Sequence, residues 1–221
     1  RQMCIRDRAS NYTLSGATIN VTIIPRTLNV NLSREYDGTT AVSGASLTPT
    51  FDSLQGGETL ALSGTGSVST ANVGSSKAVS LGSIALAAGS GNPSNYTLNS
   101  ATMNITQRVI NLDGIRAYDA TTNVLSSDIN TFGNIVSGET LTISGTGSVG
   151  TNSVAMNKAV TIGSLSLGNG SGLASNYTLT GGAHTFDISP VSVNVTGNRQ
   201  YNGTNVIDSS DLLLTNLLTG E

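Results

Sequence analysis

The sequence predicts an all-β, mainly antiparallel chain built as a tandem array of small modules of about 82 residues. Three observations predict it. The first is composition. Charged residues make up 10% and aromatic residues 4%, while Gly, Ser, Thr, Val and Asn take their place, a balance that favours pleated strands and turns over helices. The second is internal repetition. Asn-Tyr-Thr-Leu begins at Asn11, Asn95 and Asn176. Tyr36-Asp37-Gly38-Thr39-Thr40 returns as Tyr118-Asp119-Ala120-Thr121-Thr122, and again as Tyr201-Asn202-Gly203-Thr204. Gly57-Glu58-Thr59-Leu60 returns as Gly138-Glu139-Thr140-Leu141, and Lys77-Ala78-Val79 as Lys158-Ala159-Val160, both 81 residues on. All 6 tyrosines fall in the repeated motifs, and the two lysines are equivalent to each other. The third is period-two alternation of apolar residues inside each unit, the mark of a half-buried strand.

The organisation follows from the period. Residues 1–8 differ in composition from everything after them. They resemble adapter-like read-through at the end of a metagenomic fragment, and they carry Cys4, the one cysteine. Residues 9–24 read as the end of a preceding repeat, 25–106 and 107–189 as complete repeats, and 190–221 as the first part of a further one. Within a unit the first strand carries Leu28, Val30 and Leu32, matched by Ile110 and Leu112 and by Val191, Val193 and Val195. It ends at the Tyr-Asp-Gly turn, where Asp-Gly suits a left-handed backbone. Ala120 breaks that rule, so the second turn must differ or be strained. The segment from Val42 to Phe51 fits either a short helical turn or an edge strand. The next strand carries Leu60 and Leu62 (Leu141 and Ile143). Another carries Val79 and Leu81, then changes phase at Gly82, as its counterpart does at Gly163, which calls for a bulge or tight turn. The last strand starts at Tyr96 and Leu98 and runs through Met103 and Ile105 into the next unit. No flexible linker intervenes, so neighbouring units should be coupled and the array should be an elongated rod. Two topologies suit these strands: an immunoglobulin-like sandwich or a β-grasp-like module.

The motifs and their order resemble the YDG repeat and the related mostly-β-grasp repeat, over about residues 9–221. The resemblance rests on Tyr36-Asp37-Gly38, the Gly-Glu-Thr-Leu segment, the Lys-Ala-Val strand and the Asn-Tyr-Thr-Leu strand. It implies a place in a filamentous-haemagglutinin-like bacterial adhesin, outside the cell and associated with its outer membrane, as a stalk or an adhesive array. The repeat motif residues are Tyr36, Asp37, Gly38, Tyr118, Asp119, Tyr201, Gly203, Tyr96 and Tyr177.

The chemistry points away from an enzyme. His184 is the single histidine and aligns with Ile19 and Ala101, outside the repeated pattern. No catalytic, metal-binding or cofactor-binding residues are expected, because hydrolytic or acyl-transfer sites usually need a nucleophile beside a base. Calcium would want clustered acidic ligands, and no Asp-x-Asp-x-Asp run occurs. The recurring Glu58 with Lys77, and Glu139 with Lys158, are candidate cross-strand ion pairs, or candidate participants in a lysine–asparagine isopeptide bond. The net charge of −3 gives no basic face for nucleic acid, and no apolar run of about 18 residues exists for insertion into a membrane. The expected partners are neighbouring repeats of the same chain, with host or environmental glycans and proteins as the alternative.

Overall fold

The computed structural model describes residues 13, 15, 16 and 18–219. The Arg1–Arg8 string, most of the Asn11 motif, and Gly220 and Glu221 lie outside the described residues. The first complete unit contains β1 (Arg26–Glu35), β2 (Ala41–Ser43), β3 (Thr50–Phe51), β4 (Leu60–Ser63), β5 (Thr65–Val68), β6 (Gly74–Ser80), β7 (Ala85–Ala88) and β8 (Tyr96–Thr106). The second contains β9 (Arg108–Val109), β10 (Asn111–Ala117), β11 (Asn123–Leu125), β12 (Ile129–Gly133), β13 (Leu141–Ser144), β14 (Thr146–Val149), β15 (Ala155–Thr161), β16 (Ser166–Asn169), β17 (Tyr177–Thr178) and β18 (Thr185–Ser189). Two further strands, β19 (Asn194–Gly197) and β20 (Leu212–Thr215), form a hairpin-like pair.

Each unit holds a six-stranded sheet and a two-stranded antiparallel ribbon (β4 with β7, β13 with β16), and the second adds the parallel pair β9 with β17. The first sheet has the order β2-β5-β6-β8-β1-β3, and the second repeats it as β11-β14-β15-β18-β10-β12. The pairings are mostly antiparallel, but the first and last strands of the unit, β1 and β8, lie side by side and parallel in the middle of the sheet. An immunoglobulin-like sandwich instead divides antiparallel strands between two facing sheets. The first-to-last parallel pair is the arrangement of the β-grasp alternative.

Alternation places the core. On β1, Leu28, Val30 and Leu32 point inward at 0%, 2% and 1% exposure, while Asn29, Asn31 and Ser33 point outward. Leu60 on β4 and Leu86 on β7 carry the ribbon onto Leu28 and Tyr96. The segment after β2 holds both of the expected alternatives in succession: a 3-10 turn at Gly44–Ser46 and then the short edge strand β3. At Gly82 and Gly163 the chain makes the tight turn, with φ of 53° and 58°.

The second unit keeps the core volume by exchange. Gly114 on β10 occupies the position of Leu32, and a side chain there would press on Phe186, at 3.0 Å from its ring. Phe186 on β18 is fully buried and fills that space. The two changes compensate, as close packing demands. His184 also has a structural place. Its Nδ1 accepts from the Leu112 N–H at 3.1 Å and its Nε2 donates to the Leu179 carbonyl at 2.8 Å. The ring thus replaces ladder hydrogen bonds where the last strand is interrupted between β17 and β18. Val191, Val193 and Val195 are exposed, since no strand equivalent to β8 follows them among the described residues.

Candidate inter-repeat joint

The Tyr-Asp-Gly motif forms a corner rather than a hairpin, because β1 leads through it to β2, and β2 pairs with β5. Asp37 Oδ1 accepts from the Thr39 N–H at 2.9 Å, and Asp119 does the same for Thr121 at 2.9 Å. Asn202 Oδ1 takes the Thr204 N–H at 3.1 Å, so asparagine serves as well as aspartate in this local turn. A half-buried arginine braces each complete corner. Arg34 pairs with Asp37 at 3.0 Å and donates to the carbonyls of Thr39 and Ala41. Arg116 pairs with Asp119 at 2.9 Å and donates to the carbonyls of Thr121 and Asn123. Arg199 donates to the Thr204 carbonyl. Sequence reasoning missed this residue, yet an arginine stands two places before each of Tyr36, Tyr118 and Tyr201.

The third turn position is left-handed in every copy, with φ of 76° at Gly38, 62° at Ala120 and 76° at Gly203. The second turn therefore keeps its shape at the expense of strain, as the sequence suggested. Ala120→Gly is expected to stabilise the second unit by roughly 0.5–1 kcal/mol. Gly38→Ala is expected to destabilise by about 1–3 kcal/mol, since its Cβ would also lie 2.9 Å from Val136 Cγ1 of the next unit. Urea titration of the two variants checks both signs.

That contact belongs to a larger junction. Tyr36 leaves the first unit and donates its hydroxyl to Glu139 Oε1 at 2.5 Å. Tyr177 of the second unit donates to the other carboxylate oxygen at 2.7 Å. The two rings meet edge to face, with centroids 5.4 Å apart and planes at 79°. Around this triad Arg108 donates to the Tyr36 carbonyl at 3.2 Å and faces Glu35 at 3.6 Å. Asn176, at 1% exposure, accepts from the Val73 N–H at 3.0 Å and donates to Asn72 Oδ1 at 3.1 Å. The backbone passes from β8 to β9 through Gln107 alone, whose side chain donates to the Tyr177 carbonyl at 2.9 Å. The apolar cores of the two units join into one cluster of buried residues.

Copies of the motif outside this contact behave differently. Tyr36 is 5% exposed, whereas Tyr201 is 94% exposed. Tyr118 starts from the same backbone bond, donating its N–H to Ser189 as Tyr36 does to Thr106, both at 2.9 Å. The residue equivalent to Glu139 in the next repeat is Glu221, outside the described residues. In the first unit Glu58 accepts from Tyr96.

The candidate ion pairs are not formed. Lys77 donates to Thr70 Oγ1 and the Asn72 carbonyl, and Lys158 to Thr151 Oγ1 and the Ser153 carbonyl. Both glutamates are instead engaged by tyrosines. The carboxylates that an isopeptide bond would need beside each lysine are thereby committed elsewhere. Among the described residues no cluster of three or more metal-ligating side chains occurs.

Electrostatics sets a pH range for the joint. Burial, together with the Glu139 carboxylate that accepts its proton, pushes Tyr177 up to about 12, and the same causes raise Tyr36. Unfolded tyrosines ionise at the ordinary 10.0. The joint's contribution is therefore complete below pH 10 and lost as pH rises towards about 12. An alkaline titration is expected to show tyrosinate absorbance from these two rings appearing together with loss of the folded signal. Ionisation of all tyrosines at the ordinary value would contradict this.

These features define a class: a tandem β-repeat chain whose consecutive units share a built joint. A family model for the YDG domain matches residues 20–103 and 106–185, and the chain belongs to the YDG domain family. Comparison with curated proteins and with solved structures gave no match.

Proposed function

We propose that this chain is a spacer region of a secreted bacterial surface adhesin of filamentous-haemagglutinin-like type, holding an adhesive part away from the cell. The observation that carries the reading is the joint. Two repeats share a core, a glutamate and a continuous backbone, so each added unit extends the array without a hinge of free chain. A ten-residue strand at about 3.3 Å per residue makes each unit roughly 30 Å long. Long arrays of such units reach far. The recurring tyrosines support the same reading, since Tyr36, Tyr96 and Tyr177 are buried in structural roles and are unavailable for stacking on a sugar. The spacer reading assigns no reaction to the chain and takes neighbouring repeats as its partners.

The test is multivalent display of the 221-residue chain on arrays of glycans and extracellular proteins. Silence from folded protein is the expected result. Saturable binding that is lost on substituting exposed side chains would overturn it and make the repeats weak multivalent binding modules.

A further inference from the structure

We infer that each complete repeat is a tension-bearing clamp, in which a pull along the chain is resisted by shear between β1 and β8. The chain enters the unit at the Arg26 end of β1 and leaves at the Thr106 end of β8. These strands are parallel partners, with Arg26 opposite Tyr96 at one end and Glu35 opposite Thr106 at the other. The two points of traction therefore sit at opposite ends of one strand pair. Tension slides β1 along β8 and loads the whole ladder together. A pair pulled apart from one end breaks its bonds in sequence, each at low load. The same bonds thus give a high barrier in the first geometry and a low one in the second.

Three further features strengthen the clamp. The pair lies inside the sheet, with β3 on the outer side of β1 and β6 on the outer side of β8. Sliding must also expose Leu28, Val30 and Leu32 of β1 and Ala101, Met103 and Ile105 of β8, all of them buried. On the outer face, side chains tie the strands across the ladder. Asn99 and Ser100 donate to Asn29 Oδ1 at 2.9 and 2.7 Å, and Thr102 to Asn31 Oδ1 at 3.3 Å.

The second unit repeats the device. There β10 and β18 are parallel, from Asp113 opposite Thr185 to Ala117 opposite Ser189, and β9 and β17 add a second parallel pair. Load passes between the clamps without slack, since one residue separates β8 from β9 and Gln107 is itself tied to the second unit. The joint braces the same corner, because Tyr36 follows the last residue of β1.

The inference rests on the spacer reading only for its use in the organism, because the mechanical geometry stands on topology alone. The experiment is single-molecule force spectroscopy on the 221-residue chain in a Cys4→Ser background, with two attachment geometries compared. Handles at the two termini load the clamps in shear. Handles on cysteines introduced as Glu35→Cys and Thr106→Cys, both exposed and opposite each other, open the first clamp from one end. Terminal pulling is expected to give two high-force events, each releasing about 250 Å of chain. The paired-cysteine geometry is expected to rupture at less than about half that force, because the ladder's bonds then break in sequence rather than together. Equal forces, or a lower force from the termini, would overturn the clamp and leave the spacer reading to the array experiment.

Discussion

Alanine at position 139 is expected to lower the stability of the second repeat by about 3–5 kcal/mol. Glu139 accepts two tyrosine hydroxyls from two different repeats, and both rings are buried. Removing the carboxylate strands both donors, and each unsatisfied buried hydroxyl costs about 1–3 kcal/mol. The first repeat holds an internal control. Glu58 accepts from one tyrosine of its own unit, Tyr96, so Glu58→Ala is expected to cost about half as much by the same count of hydroxyls. Urea unfolding of the two variants decides the matter. Equal losses at positions 58 and 139 would show that the second tyrosine contributes nothing.

Arg34→Ala is the next largest expected loss, about 3 kcal/mol from several charged hydrogen bonds broken at once. The guanidinium reaches one carboxylate and two backbone carbonyls in a corner that carries little other regular structure. Arg116→Ala should behave alike. In that repeat the guanidinium carbon also lies 5.6 Å from the centre of the Phe186 ring, adding a cation–π contact. Lysine is expected to rescue poorly, since a compact ammonium cannot span three acceptors held in a planar fork. Full stability in Arg34→Lys would refute that account of the corner.

The strands were legible in the sequence because their physics is local. Leu28, Val30 and Leu32 alternate with Asn29, Asn31 and Ser33, and a period of two leaves one face for the core. The strain at Ala120 was legible for the same reason, since a left-handed turn disfavours any side chain with a Cβ. What could not be read is pairing across distance. Nothing in Arg26–Glu35 tells it to lie parallel to Tyr96–Thr106 rather than antiparallel to a nearer strand. The lysines illustrate the same limit. Glu58 and Lys77 recur together, and recurrence suggested a pair. Each instead meets a different neighbour, since Glu58 sits against Tyr96 while Lys77 lies on β6 beside Thr70 and Asn72. The joint was hidden more deeply still, as Tyr36 and Glu139 sit 103 residues apart in different repeats. Arg34 and Arg116 recur as well, but an arginine that braces a turn has the same local sequence as a solvated one, since its acceptors are backbone carbonyls that any residue supplies.

Neighbouring repeats are coupled through Tyr36 and Glu139. The most direct test of that coupling is a double-mutant cycle on the full chain, combining Tyr36→Phe with Glu139→Ala, and using Tyr201→Phe as the exposed counterpart. The expected result is an interaction energy of at least about 1 kcal/mol between positions 36 and 139, and none between 201 and 139. Losses at 36 and 139 that add to within about 0.3–0.5 kcal/mol would contradict the joint.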